Sequence, residues 1–289
     1  MTRRLRSCSG LALLATRRKN RRIPCGNEHT GQPGLALFGR AERALTTQAH
    51  DAAPPVMSRL PRRAGAGTVR LSQRDIDGLM LCGEHYGAPF DLLAAALGVS
   101  EERVLAITAR WRRAGYAETG RLGPGPGWCW LTRDGMTATG LGFTVVRPAL
   151  GRLAHIRAVL AARIWMQDSR PWAEWQPWWD CERRLHASQA AGRGGHTPDA
   201  EVHWPSLDGC SYDGQVWAIE AELTPKGAAR TARIMSGLLI PVRYAQVVYL
   251  TAPAARPVVL RAAASLPAED RARVVVRDLP SYALTGEPR

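Results

Sequence analysis

Apolar residues between positions 70 and 115 recur at helical spacing in three successive segments. The first segment opens with Ser72–Asp75, which has the form of a capping box with Asp in place of the usual Glu. The second, Pro89–Leu97, is apolar along one side and stops at Gly98, and Ser100 is a good N-cap for the third, Glu101–Ala114. The pattern predicts three short helices, the last two joined by a tight turn.

The third predicted helix has two distinct faces. Val104, Thr108 and Trp111 share the side expected to be buried. Another face carries Arg103, Ala106, Arg110 and Arg113, so three arginines form a basic stripe along the helix. Two helices joined by a tight turn, the second with a basic stripe, are typical of the helix-turn-helix units that enter the DNA major groove.

The residues that follow favour the same interpretation. Two short strand candidates, Tyr116–Thr119 and Trp128–Leu131, flank a turn-rich tip that contains Arg121. The hairpin resembles the wing of winged-helix repressors, so residues 68–147 are predicted to form a winged helix-turn-helix DNA-binding domain. Arg103, Arg110, Arg113 and Arg121 are its predicted DNA contacts. The alternative is a helical protein-interaction module with a solvated arginine face.

Beyond residue 150, segments with apolar residues at helical spacing alternate with segments typical of strands. Leu153–Gln167 and Pro257–Ser265 have helical spacing, and a third helix is expected from Thr224-Pro225 to about Leu239. Strands are predicted at Asp199–Trp204, Gln215–Leu223, Tyr244–Thr251 and Ala272–Asp278. The order predicts a second domain, residues 150–289, of the α/β class, with a mixed central sheet covered on both faces.

The strand Gln215–Leu223 carries the most informative polar residues. Its alternation places Glu220 and Glu222 on one side and apolar residues on the other. Two carboxylates in an otherwise apolar central strand are costly to bury without a partner. A divalent cation shared with Asp199 on the neighbouring strand would neutralise them, and hard oxygen ligands suit Mg²⁺.

Charge divides the chain unevenly. The net charge is +14, from 39 Lys and Arg against 25 Asp and Glu. Residues 1–70 hold 14 of the basic residues and three of the acids, which leaves the rest near neutrality at 25 against 22. Residues 23–67 are rich in Gly, Pro, Ala and Thr without a sustained period. Residues 1–67 are therefore predicted to be a disordered basic tail. This tail either adds non-specific phosphate contacts or lies upstream of a true start at Met57.

Composition excludes several classes of protein. Apolar residues make up 45% of the chain, enough for a buried core, yet no apolar run approaches the roughly 20 residues of a membrane span. The short patch Leu11–Ala15 is followed by a second basic cluster and does not have the form of an export signal. The six cysteines are scattered without a C-x-x-C pair, which fits a reducing compartment. A cytoplasmic protein without membrane contact is therefore expected.

The motif Pro198-Asp199, followed some twenty residues later by Glu220-x-Glu222, resembles the PD-(D/E)XK nuclease fold. The string Ile219–Lys226 is similar to the C-terminal domains of actinobacterial replication-relaxation-type proteins, which join a winged helix to such a module on plasmids and integrative elements. The resemblance covers roughly residues 70–285. It implies a restriction-endonuclease-like C-terminal domain.

The same resemblance implies roles for five residues. Asp199 and Glu220 would hold Mg²⁺ or Mn²⁺, and Glu182 would be the supporting acid. Glu222 stands where active nucleases of this fold usually have a lysine, and Lys226 is the nearby residue that would supply the ammonium group. This departure leaves two alternatives, an active metal-dependent DNA endonuclease and an inactive one.

The function expected from these features is that of a DNA-binding protein of a plasmid or integrative mobile element. Its partners would be double-stranded DNA and either a second copy of the chain or a replication or transfer protein. A catalytically inactive transcriptional or replication regulator is the first alternative. A protein-interaction adaptor that docks through the tryptophan-rich segment Trp172–Trp179 is the second.

Overall fold

A computed structural model of the chain describes residues 70–169, 172–189, 196–240 and 243–285. The predicted basic tail, residues 1–67, lies outside them. All described residues belong to one compact unit. They form a mixed α and β structure with two sheets, the larger of which is itself mixed.

The first part of this unit consists of four helices and a small antiparallel sheet. Its helices are α1 (Gln73–Glu84), α2 (Phe90–Leu97), α3 (Glu101–Arg113) and α4 (Arg133–Thr139). Its strands are β1 (Ala88–Pro89), β2 (Ala117–Gly120) and β3 (Trp128–Leu131), in the order β1-β3-β2. The three helices and the hairpin thus occur where the sequence pattern predicts them.

The predicted turn and cap residues fix the helix ends. Ser72 and Asp75 form the capping box at the start of α1, and the Ser100 hydroxyl accepts a hydrogen bond from the Arg103 amide at the start of α3. Gly98 ends α2 with a φ of +62°, a left-handed conformation that glycine adopts without a Cβ penalty. The turn between α2 and α3 is therefore tight.

The second part is a five-stranded sheet with helices on both faces. Its strands are β4 (Trp178–Cys181), β5 (Ala200–His203), β6 (Val216–Glu222), β7 (Gln246–Thr251) and β8 (Val274–Asp278), in that spatial order. β4, β5 and β6 pair antiparallel, whereas β6, β7 and β8 pair parallel. The helices, after a 3₁₀ turn at Leu150–Arg152, are α5 (Leu153–Asp168), α6 (Trp172–Trp175), α7 (Glu182–Gln189), α8 (Ala228–Leu239), α9 (Arg256–Ala264), α10 (Ala268–Arg271) and α11 (Tyr282–Thr285).

The alternation in β6 has the predicted orientation. Trp217, Ile219 and Ala221 face the hydrophobic cluster that contains α5. Ala218 faces the other side, in a second cluster built from α8 and α9. Glu220 and Glu222, at the same parity as Ala218, are buried on that second side.

The start of one helix differs from the sequence prediction. The helix expected from Thr224-Pro225 begins only at Ala228, because Gly227 has a φ of +86° and Lys226 therefore lies in the preceding loop. Glu182 is the first residue of α7 and comes directly after β4.

Helix α5 connects the two parts of the unit. Its Arg157 donates hydrogen bonds to both carboxylate oxygens of Asp91 on α2, one at 2.9 Å, and to the backbone carbonyl of Tyr282 on α11. Glu84 of α1 accepts hydrogen bonds from Arg163 and Arg184 at 2.6 and 2.8 Å.

In the described ranges no helix is both long and apolar enough to cross a membrane.

Candidate functional site

Three of the predicted site residues lie side by side at one end of the large sheet. Asp199 directly precedes β5, and the antiparallel pairing of Ala200 with Ile219 puts it beside Glu220 of β6. The backbone N–H of Glu182 donates a 3.1 Å hydrogen bond to the Asp199 carbonyl. We call Glu182, Asp199 and Glu220 the acidic row.

The Asp199 carboxylate is held from two sides. Its Oδ2 accepts a 2.8 Å hydrogen bond from the backbone N–H of Ala221, and its Oδ1 lies 2.9 Å from Nε2 of His155 in the first turn of α5. Burial lowers the pKa of His155, but its hydrogen bond to Asp199 and the charges of Asp199 and Glu182 outweigh burial, and the pKa is raised. The protonated form of the His155 imidazole is therefore favoured beside this acid.

The pKa of Glu220 is strongly raised. Its side chain is buried, and burial, followed by the charge of Asp199, raises its pKa to about 7. His196 opposes this shift, since its Nε2 lies 2.9 Å from Glu220 Oε1. A carboxylate poised near neutral pH beside a second carboxylate is a recognised feature of functional sites.

Glu222 and Lys226 form an ion pair next to this acid. The Lys226 ammonium lies 2.9 Å from Glu222 Oε2. Its charge also lowers the pKa of Glu220, although less than His196 does. The structure thus places Lys226 near enough to affect Glu220 electrostatically, with its ammonium group paired to Glu222.

Glu182 and Asp199 also line a small pocket between the end of α1, helix α5 and the sheet. Its lining includes Tyr86, Arg152, His155, Glu182 and Asp199. Arg152 donates a 2.7 Å hydrogen bond to Glu182, and its guanidinium lies 4.9 Å from the centre of the Tyr86 ring. The pocket therefore presents acids and cationic side chains together.

A second group of ligand-type side chains lies on the same sheet. In the part of the chain that the structure describes, the ligand atoms of Asp180, Glu201 and His203 all lie within 4.8 Å of one another, an arrangement that could hold a metal ion. Neither predicted metal ligand, Asp199 or Glu220, belongs to this group. We call it the Glu201 group.

Glu201 is already well supplied with partners. Its carboxylate accepts hydrogen bonds from the Arg243 guanidinium and the Tyr244 hydroxyl, and His203 Nε2 lies 3.1 Å from its Oε2. Burial raises the pKa of Glu201, but these contacts outweigh burial and hold it below its usual value. A cation entering here would compete with Arg243.

The predicted DNA-contacting arginines fall into two kinds. Arg103, Arg113 and Arg121 are exposed. Arg110 is half-exposed and forms an ion pair with Asp75 of α1, which also accepts a 2.8 Å hydrogen bond from the Trp111 indole. Arg110 therefore ties α3 to α1.

Sequence reasoning missed the two histidines of the acidic row and the whole Glu201 group. From its position three residues before Asp199, His196 is expected to be a loop histidine without a catalytic role; it does lie in the loop before β5, but its ring reaches Glu220. His155 is 44 residues from Asp199. Asp180 meets Glu201 only through the register of β4 and β5, which local sequence does not reveal.

The chain was compared with known protein families, curated proteins and solved structures. Neither a protein-family model, nor a curated protein, nor a solved structure matches the chain.

Proposed function

We propose that the chain is a DNA-binding protein of the replication-relaxation type from a mobile element, with a PD-(D/E)XK-like centre that hydrolyses phosphodiester bonds in a metal-dependent way. The acidic row carries this proposal. Adjacent strands bring Glu182, Asp199 and Glu220 to one end of a mixed sheet, as the motif spacing requires. The elevated pKa of Glu220 supports a role other than structural pairing.

The side chains of the row have suitable chemistry for Mg²⁺ or Mn²⁺. Asp199 and Glu220 offer hard carboxylate oxygens, and the Ala221 N–H together with His155 fixes the orientation of Asp199. The bound cation would lower the pKa of a water molecule and stabilise the charge on the phosphate. Lys226, beside Glu220 in the loop before α8, would stabilise developing negative charge through its ammonium group.

Incubation of the full chain with supercoiled plasmid and Mg²⁺ or Mn²⁺ tests the proposal. We expect weak nicking that is abolished by chelation, by Asp199→Asn and by Glu220→Gln. Asp208→Asn, an exchange of an exposed acid, is the matched control and should leave nicking unchanged. Nicking that persists in both site variants would place the activity elsewhere.

One observation favours a second candidate, a DNA-binding regulator without catalytic activity. Asp199, Glu220 and Glu222 each already contact a basic side chain of the same chain. Asp199 contacts His155, Glu220 contacts His196 and Glu222 contacts Lys226. Such pairs stabilise the acids without an ion, and the usual nuclease lysine position is occupied by Glu222.

Both candidates require DNA binding by the first part of the unit. The order of three helices and a β-hairpin, with a tight turn before α3, supports a winged helix-turn-helix interpretation of residues 68–147. Arg103, Arg113 and Arg121 are free to meet phosphates at the surface. Arg110 supports the position of α3 instead.

Titration of duplex DNA at several salt concentrations tests this assignment. Arg103→Ala combined with Arg113→Ala should weaken binding and reduce the salt slope by about 0.9 for each lost phosphate contact. Arg261→Ala, an exposed arginine on α9, is the control and should preserve the slope. Unchanged affinity and slope in the double variant would refute binding through α3.

A further inference from the structure

Tyr249 lies beside the acidic row but has no role in the function proposed so far. It is on β7, where the parallel register pairs it directly with Glu220. Its side chain packs among buried residues of α8, including Met235 and Leu238, and only 1% of the residue is exposed. The ring therefore belongs to the core of the sheet.

The hydroxyl of this ring is an exception to that apolar setting. It is buried and has no hydrogen-bond partner among the residues that the structure describes. Burial raises the pKa of Tyr249, and the charges of Glu220, Glu222 and Asp199 raise it further. The phenol is thus a protonated donor on the strand next to Glu220, its direct partner in the register of β6 and β7.

A buried hydroxyl without a partner is unfavourable, because its hydrogen bonds to water have been lost and not replaced. Packing alone does not account for it, since phenylalanine would fill the same space without a polar atom. The other buried tyrosine of this cluster, Tyr244, uses its hydroxyl to bind Glu201. The Tyr249 hydroxyl is the corresponding donor on the side of the acidic row.

We propose that Tyr249 is a positioning residue for a ligand of the acidic row, and that its hydroxyl donates a hydrogen bond to a water molecule coordinated by the divalent cation at Asp199 and Glu220. This inference rests on the proposed metal-dependent function. It adds a buried neutral donor to a site otherwise made of charged groups. Such a donor would orient the water without adding a charge.

The test compares Tyr249→Phe with Tyr244→Phe, a matched exchange in the same hydrophobic cluster. The affinity of the full chain for Mn²⁺ is measured by calorimetric titration, and its melting temperature is measured with and without Mn²⁺. Tyr249→Phe should melt at or above the wild-type temperature without metal and bind Mn²⁺ about three- to tenfold more weakly. Tyr244→Phe should melt lower without metal, because Glu201 loses a hydrogen-bond donor.

Two results would overturn the inference while leaving the proposed function intact. One is Mn²⁺ affinity in Tyr249→Phe equal to that of the wild type. The other is a clear loss of stability in metal-free Tyr249→Phe, which would show that the hydroxyl already has a partner within the protein. By contrast, a wild-type chain that binds no Mn²⁺, or binds it equally after Asp199→Asn, would overturn the proposed metal centre and the inference with it.

Discussion

The Glu201 group and the acidic row lie on one sheet but show opposite electrostatics. Asp180 pairs with Glu201 across β4 and β5, and Glu201 pairs with Ala218, two residues before Glu220 on β6. The exposed fractions of Glu201 and Glu220 are similar, 1% and 5%. Nevertheless the pKa of Glu201 is lowered, whereas that of Glu220 is raised to about 7.

The difference comes from the partners that surround each acid. Glu201 receives a guanidinium and a phenol hydroxyl, from Arg243 and Tyr244. Glu220 faces the like charge of Asp199, and His196 compensates it only in part. Burial alone therefore does not identify a functional carboxylate. An acid buried without sufficient fixed donors is the better candidate, since it gains most from an added cation.

Removing the charge of each acid in turn should give the largest difference in the free energy of unfolding between the two groups. Glu201→Gln leaves Arg243 without its carboxylate and should lower the free energy of unfolding by about 2 kcal/mol, a reduced value because Arg243 is one-third exposed. Glu220→Gln removes repulsion with Asp199 and still accepts a hydrogen bond from His196, so its effect should be near zero. Urea unfolding at pH 7.5 measures both.

The two variants are matched, since each exchanges one buried glutamate for its isosteric amide on adjacent strands. Equal destabilisation by Glu201→Gln and Glu220→Gln would show that both acids are structural. The contrast between the groups would then have no functional meaning.

His85 provides a test of the same principle with a base. It is buried at the end of α1, and its Nε2 accepts a 3.2 Å hydrogen bond from Arg163. Burial and the charge of Arg163 lower its pKa to about 3, although the neighbouring Glu84 opposes this. The unfolded chain binds this proton near pH 6.5, whereas the folded chain keeps His85 neutral. The free energy of unfolding is therefore highest above pH 6.5 and decreases as pH falls towards 3. The loss should approach 1.4 kcal/mol per pH unit.

Measurement of unfolding free energy between pH 7.5 and 5 in wild type and His85→Gln separates this effect from other titrations. Glutamine keeps an acceptor for Arg163 but does not titrate, so the variant should lose less stability on acidification. Burial raises the pKa of Glu84, but Arg163 and Arg184 outweigh burial and lower it. Glu84 therefore also makes the fold more stable at high pH than at low pH. Parallel pH profiles of the two proteins would mean that His85 is not held neutral in the fold.

Local pattern was sufficient to predict most elements of the fold. The strand β6 alternates as expected because one face packs on α5 and the other on α8 and α9. Ser72 and Gly98 mark helix ends through backbone chemistry that acts over a few residues. The start of α8 was wrong by three residues because Gly227 breaks the helical conformation that Thr224-Pro225 favours.

The composition of the site was only partly predictable, because the missing contacts join distant segments. The motif spacing indicated Asp199 and Glu220, but His155 reaches Asp199 from α5. The stripe on α3 suggested that Arg110 is free for DNA, whereas it binds Asp75, 35 residues earlier. No periodicity in the sequence encodes these pairings, which depend on how the helices pack.

The smallest contrast in stability is expected at the Glu222–Lys226 pair, which is intermediate between the two groups. Glu222 is as buried as Glu220, but its partner Lys226 lies in a loop with 36% of its side chain exposed. Solvent screens such a pair, so Lys226→Met should lower the free energy of unfolding by less than about 1 kcal/mol. Arg230→Met, an exposed cation on α8, is the control for loss of a positive charge in urea unfolding at pH 7.5. A loss in Lys226→Met as large as that in Glu201→Gln would place Glu222 with the structural acids. A small loss leaves the ammonium group energetically free to turn from Glu222 towards a phosphate.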